Sequence, residues 1–375
     1  MAHRAALRIA EIVRPLSVAA VVFSAAFLAV TASNSYAAKC DKDDSCTEDT
    51  VVLGNNGAIL GSSYEVFAAG ARKNTKATHE VKGNQTGLAS PSGVAITPDA
   101  QTIAIANQLG GNVLVFGSGA TGNSAPSARI GGPTTGLENP AGVAFLPGND
   151  IAVASTLGAV VDPGGGPPPT GICDPAVVGF SLGVISEFAA GSNGDVTPLN
   201  NSPVNGGTRN ATIGGCATFL LGPTGLASEP SGKLWAANSF GGFITSYAAG
   251  ASGDAFPDNI IAGAIAPAFV AVGAAGTEIY VTDLGDNSVK IFDATTFGGK
   301  LLGVISGKRT KFNSPMGIDF VGDDLYVANN EANNFVMFDD DAGELDLGGN
   351  IRPNVIVRGK HTNMNLPTGL AVPHP

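Results

Sequence analysis

The chain has 375 residues, of which 44% are hydrophobic and only 14% charged, with 52 glycines and a formal net charge of −11. That length allows two ordinary domains or one large repeat domain, and sparse charge with abundant glycine suits many short buried strands joined by tight turns. An acidic balance supplies no positive footprint, so the composition predicts no nucleic-acid partner.

The first 37 residues read as an export signal. Arg4, Arg8 and Arg14 make a positive start, Pro15 to Val30 is apolar, and Ala37 and Ala38 offer small residues for a peptidase. The apolar run is short for a spanning helix; retention as a membrane anchor is the alternative. Cleavage takes away three arginines and one glutamate, moving the net charge from −11 to −13. No later segment is long and apolar enough to cross a bilayer. The expectation is an exported protein, periplasmic or extracellular, with no membrane span after signal removal. Residues 38–49 form an N-terminal extension.

Four cysteines follow the signal, at Cys40, Cys46, Cys173 and Cys216. An oxidising compartment favours pairing, and four cysteines allow three connectivities. The preferred set joins Cys40 to Cys46 and Cys173 to Cys216. The second bond would close a loop of about 40 residues, a chain-entropy contribution of about 3–4 kcal/mol.

From residue 50 onward a repeat governs the chain. Pro91, Pro140, Pro223, Pro267, Pro315 and Pro367 each stand just ahead of a short apolar strand, such as Ser92 to Ile96 or Met316 to Phe320. A period of roughly 40–50 residues built from short strands predicts a β-propeller. Proline fixes φ and lacks an N–H, which suits the start of a strand. Each repeat then shows a second run ending in a polar residue, a third run ending in an aromatic, and a fourth ending in glycine. Thr102 to Asn107, Val113 to Phe116 and Ile130-Gly131 are one such set.

The ends are complementary. Thr50 to Asn55, Tyr64 to Phe67 and His79 to Gly83 match second, third and fourth strands, whereas Thr368 to Val372 is a first strand with nothing after it. Pairing the ends closes a ring and removes open sheet edges. The sequence therefore predicts an all-β, six-bladed propeller of four-stranded blades over 50–375, closed by pairing of the N-terminal strands with the C-terminal strand. An insertion at about 156–209 expands one repeat. It holds Asp162 to Pro169 and Cys173, and long loops on a rigid frame are where binding residues concentrate.

The motif Asn313-Ser-Pro-Met-Gly-Ile-Asp-Phe followed by Asp324-Leu-Tyr-Val-Ala-Asn resembles NHL-type propeller repeats, and the resemblance covers about residues 50–372. It implies an exported bacterial propeller, similar in fold to ligand-binding sensor domains, lactonase-like hydrolases and a metal-dependent lyase.

The polar residues ending the second strands, Asn55, Asn107, Ser155, Asn238, Asp283 and Asn329, are expected at one mouth of the channel, where an oxygen-rich ring can hold calcium or a polar ligand. Turn capping repeated by duplication is the other reading. His361 is the best single candidate for a general base. Asp339, Asp341, Glu344 and Asp346 lie in the densest acidic run and could in part form a calcium loop. No Gly-x-Ser-x-Gly elbow and no histidine set spaced for zinc is present. The sequence thus favours a binding or protein-interaction module for an unknown protein or small-molecule ligand. No cofactor is expected beyond calcium. A lactonase-like hydrolase or a lyase, with its site at the channel mouth, is the alternative.

Overall fold

A computed structural model describes residues 50–56, 61–68, 70–156, 183–203, 210–339 and 345–374. The signal segment, the 38–49 extension, Cys40, Cys46 and Cys173 lie outside the described residues, as does most of the insertion.

The described chain is a ring of six antiparallel blades. The first blade is β4 (Pro91–Ile96), β5 (Thr102–Asn107), β6 (Asn112–Gly117) and β7 (Ala128–Ile130), paired in that order. The second contains β8 (Pro140–Phe145), β9 (Ile151–Ser155) and β10 (Val184–Phe188). Its outer position is filled differently. β11 (Ser202–Pro203) and β12 (Asn210–Ala211) pair with each other, and this segment is tied to β10 by the Ile185–Ile213 bridge and by hydrogen bonds of Glu187 with Leu199 N and Thr212 Oγ1. The third blade is β13 (Pro223–Ser228), β14 (Leu234–Asn238), β15 (Phe243–Tyr247) and β16 (Asn259–Ala262). The fourth is β17 (Pro267–Val272), β18 (Glu278–Asp283), β19 (Ser288–Asp293) and β20 (Leu301–Ile305). The fifth is β21 (Pro315–Val321), β22 (Asp324–Asn329), β23 (Asn334–Asp339) and β24 (Val355–Arg358).

The closing blade unites the chain ends. β25 (Pro367–Ala371) pairs with β1 (Thr50–Asn55), which continues to β2 (Ser63–Ala68) and β3 (His79–Lys82). Side chains lock this closure. Thr368 Oγ1 donates to Pro91 O at 2.7 Å, and Asn55 Oδ1 accepts from Asn365 N at 3.1 Å. At the far end Asp319 accepts from Val372 N and meets His374 Nε2 at 2.9 Å. The nearby Asp319 carboxylate raises the His374 imidazole above its usual range, against the effect of burial.

Second strands are buried on both faces, which explains their near-continuous apolar runs: Ile103, Ala104, Ile105 and Ala106 are all inaccessible. The core lies between blades. Tyr64, Val66 and Val81 of the closing blade pack on Ile103, Ile105, Leu114 and Phe116 of the first. The Tyr64 and Phe116 rings are 5.2 Å apart, and Tyr280 stacks on Phe320 across the next-but-distant joint between the fourth and fifth blades at 4.6 Å.

The glycine two residues after most of the leading prolines marks the closest approach of neighbouring blades. A Cβ at Gly142 would stand 2.7 Å from Thr224 O, and one at Gly369 would stand 2.3 Å from Ser92 O. No side chain fits there without moving the adjacent inner strand. Gly142→Ala is therefore expected to cost about 1–3 kcal/mol of stability, the usual range for overpacking. Gly119→Ala, in a turn with open space around it, serves as the control. Thermal unfolding of the two variants measures the difference.

A second repeated contact latches the outer strands. Asn74, Asn123, Asp195, Asp254 and Asn350 each fill the space where a Cβ would sit on a glycine of the preceding blade. Those glycines, Gly359, Gly83, Gly132, Gly215 and Gly307, all have positive φ. In each case the carboxamide or carboxylate accepts a backbone N–H two residues beyond the glycine, as Asn123 Oδ1 does from Gln85 N at 2.8 Å. The joint between the third and fourth blades is built otherwise. Gly263 is followed within four residues by Pro267, and no latch of this kind is found there among the described residues.

Candidate functional site

The channel holds a cavity of about 220 Å³. Its wall comes from two sets of residues. Ser92, Ala141, Thr224, Ala268, Met316 and Thr368 follow the six leading prolines on the innermost strands. Asn56, Gln108, Ser239, Leu284 and Asn330 follow the polar residues that end the second strands. Phe269, standing where other blades place glycine, completes the wall. None of these side chains is charged.

The predicted ring residues thus lie one position behind the cavity wall. Asn55, Asn107, Ser155, Asn238, Asp283 and Asn329 are fully buried, and their polar atoms are bonded to the adjoining loops. Asn107 Oδ1 accepts from Ala89 N at 2.6 Å, Asn238 Oδ1 from Leu221 N at 2.9 Å, and Asn329 Oδ1 from Asn313 N at 3.2 Å. Ser155 Oγ makes the equivalent contact with Glu138 N at 3.4 Å. Each holds the connection that enters the leading proline of its own blade. In five of the six cases the residue after the ring position lines the cavity; Thr156, after Ser155, bonds Asn139 instead.

Asp283 differs because its loop is short. Oδ2 accepts from Ile265 N at 2.7 Å, Oδ1 accepts from Ala266 N and Gly285 N at 2.9 Å each, and Lys290 Nζ lies 2.5 Å from Oδ2. Four donors converge on one group, which only a carboxylate, with no hydrogen to donate, satisfies. Burial by itself would raise this carboxyl, but the Lys290 bond and the three backbone donors outweigh it and hold it below its usual range. Burial likewise works against the Lys290 charge, yet Asp283 and Asp286, the latter at 2.9 Å, keep the ammonium above its ordinary value.

The other sequence candidates are dispersed. His361 is exposed in the connection from β24 to β25, its N–H bonded to Asn74 Oδ1 at 2.9 Å, and it does not line the cavity. Asp339 is exposed at the end of β23. Asp341 and Glu344 lie outside the described residues. Asp346 belongs to a short 3-10 turn, Leu345–Leu347. Cys216 begins another such turn, Cys216–Thr218. Among the described residues no three His, Cys, Asp or Glu side chains come together in a metal-binding group, and no helix is long and apolar enough to cross a membrane.

Two further carboxyls are perturbed away from the cavity. Burial pushes Glu65 up to about 8, with Ser63 opposing, Glu80 adding and Lys82 opposing. Burial, reinforced by Asp150, pushes Glu187 up to about 7. Both sit within third strands, so here strong perturbation marks blade packing and not a reaction centre.

Beside the cavity, the mouth surface of the third and fourth blades is apolar. Phe219 packs edge-on against Phe243 and Phe256, with centroids 6.5 and 5.5 Å away. Phe240 lies against Gly222, and Ile265 lies against Gly285. Phe240, Phe256, Ile265 and Leu284 are 53%, 60%, 61% and 37% exposed. Leu284 belongs both to this strip and to the cavity wall. The sequence reading missed the strip because its members come from four separate loops.

No protein-family model matches the chain, and no curated protein sequence matches it. Solved structures do. A chain of a nidogen/laminin complex superposes with a TM-score of 0.53 at 12% identity, covering 87% of this chain and 100% of that one. A protein of unknown function from Bacteroides caccae gives 0.54 at 10% identity over 87% and 99%. A functionally unknown protein from Desulfotomaculum acetoxidans gives 0.50 at 14% identity over 88% and 100%. At these identities the likeness extends to the fold, and the chain is a six-bladed β-propeller.

Proposed function

We propose that the protein is an exported propeller of NHL-repeat type that works as a binding module, capturing a partner protein through the channel mouth. The charged and apolar parts of residues 1–37 support export, and the proline-led motif supports the repeat type. The observation that carries the binding reading is the junction of an uncharged cavity with an exposed apolar strip. Contiguous exposed apolar surface of this kind marks interaction sites. The cavity, at about 220 Å³, is smaller than the roughly 300–1,000 Å³ of sites that enclose a small ligand. A peptide segment that lays apolar side chains on the strip and inserts one into the channel fits better.

Selection of a displayed peptide library on the immobilised protein tests this. Wild type is expected to enrich apolar sequences, and the Phe256→Ser/Leu284→Ser variant is expected to lose them by about tenfold or more, as for a truncated interface anchor. Equal enrichment on both proteins would move binding away from the mouth.

A further inference from the structure

The chain is acidic in sum, but its cations are not spread evenly. Among the described residues, most exposed lysines and arginines fall within three segments, 72–82, 308–311 and 352–360. These segments contain a single carboxylate, Glu80, and it accepts from Asn363 Nδ2 at 2.9 Å.

The topology brings the segments together on the outer rim of the fifth and closing blades. Lys73 bridges Val357, with Lys73 N donating to Ile356 O at 2.8 Å and Arg358 N donating to Lys73 O at 2.6 Å. The Asn74 latch on Gly359 brings the segment that carries Lys360 to the same joint as the segment that carries Arg72 and Lys76. One joint thereby gathers Arg72, Lys73, Lys76, Arg358 and Lys360. All five are exposed, and none forms an ion pair among the described residues. The Asn350 latch does the same at the preceding joint. It accepts from Arg309 N at 2.8 Å, and Arg309 and Arg352 line a surface groove of about 470 Å³ together with Asn350, Asn354, Asp339 and Phe338; Lys308 precedes Arg309 outside the groove wall.

We infer that this rim is a docking surface for a linear anionic polysaccharide. Like charges gathered on one rim raise the local potential and concentrate anions. The three segments contain no Phe, Tyr or Trp, so they lack the stacking platforms that single-stranded nucleic acids require. The remaining surface is acidic and repels a wide duplex, whereas one narrow chain touches only the rim. The latch side chains add neutral recognition. Asn74 and Asn350 spend Oδ1 on backbone N–H groups, and their Nδ2 groups make no bond among the described residues. Those amides are available to hydroxyl and carboxylate oxygens of a sugar chain. This inference does not depend on the mouth reading, because the rim shares no residue with the cavity or the apolar strip.

Polygalacturonate and heparin are the probes, with binding to the full-length protein followed at low and raised salt. The expected result is binding of at least one, weakened steeply by salt, as counterion release requires. Lys73→Glu/Lys360→Glu should lower that affinity by about tenfold or more, while Arg129→Glu/Lys300→Glu, which changes the net charge equally off the rim, should leave it within about twofold. Lys73→Gln/Lys360→Gln, which adds no like-charge repulsion, should give an intermediate loss. Failure of wild type to bind either probe, equal losses in the rim and control variants, or tighter binding of duplex DNA than of both polysaccharides would each overturn the inference. Peptide capture at the mouth should be unchanged in the rim variants, so the two readings fail separately.

Discussion

Removing residues 367–375 should abolish cooperative unfolding and drive the protein into aggregates. These residues include β25, the innermost strand of the closing blade, and Thr368, Leu370, Ala371 and Val372 are all at most 5% exposed. Burial of a Leu or Val side chain contributes about 1.5–3 kcal/mol. Their loss would also uncover Val51, Val52 and Leu53 on β1, turning a covered strand into an apolar open edge. The combined loss approaches the whole stability of a typical domain, about 5–15 kcal/mol. A chain ending at Pro373 is the sharper comparison. It keeps β25 and loses the His374 contact with Asp319, so it should stay folded with only a small drop in stability. His374 has a raised pKa, so its contribution is complete below the unfolded histidine value and disappears as pH rises through the folded one. The difference between this chain and wild type should therefore shrink towards alkaline pH. Scattering and thermal melts of the two truncated chains test both statements. A chain ending at Leu366 that melts like wild type would contradict the closure.

Asp283→Ala should be the most damaging single substitution considered for this molecule. It leaves the Lys290 ammonium, 6% exposed, with Asp286 alone, and strips Ile265, Ala266 and Gly285 N–H groups of their acceptor. Breaking a buried pair by removing one partner costs about 3–5 kcal/mol. Asp283→Asn keeps the shape but turns an NH₂ group towards donors, so it should also destabilise, by a smaller amount. Adding Lys290→Met to Asp283→Asn should recover part of the loss, since no charge is then left buried. The folded carboxyl is held below its unfolded value. Its contribution is therefore present above the unfolded aspartate range and disappears as pH falls through the folded pKa. The gap between wild type and Asp283→Asn should close in acid. Urea unfolding across pH measures all three, and a neutral Asp283→Ala would refute the four-donor account.

The fold was legible because each leading proline and each second strand carries its own local signal. Pro91, Pro140, Pro223, Pro267, Pro315 and Pro367 all begin first strands, and β1 and β25 pair as the half-blades at the chain ends require. The site was less legible, by one residue. Alternation along β5 gives no warning that the turn after Asn107 brings Gln108 to the channel and leaves Asn107 bound to the loop. The latches had a signal that a reading of strands passes over. Gly-(Asn/Asp)-x-x-Pro recurs at 122–126, 194–198, 253–257 and 349–353, and Gly-x-x-Thr recurs at each glycine it meets. In the latter motif the threonine hydroxyl bonds the glycine carbonyl at 2.7 Å, as Thr86 does with Gly83. The basic rim could not be read from net charge, because a sum over the chain hides a separation that only pairing of distant segments creates.

The repeats within this chain act as controls for one another, and the fourth blade fails to match them in several ways at once. Phe269 replaces the glycine of closest approach, Asp283 and Lys290 replace a neutral capping pair, and the joint before Pro267 is cut short, with no latch among the described residues. None of these departures is needed to build a blade, since the other blades manage without them. They fall in one sector, where Phe269 and Leu284 form part of the cavity wall and Ile265 extends the apolar strip. The repeated blade pattern accounts for the frame; it does not account for this sector. Grafting the fourth-blade residues onto a neighbouring repeat, or erasing them here, separates what the shared frame requires from what this sector adds to it.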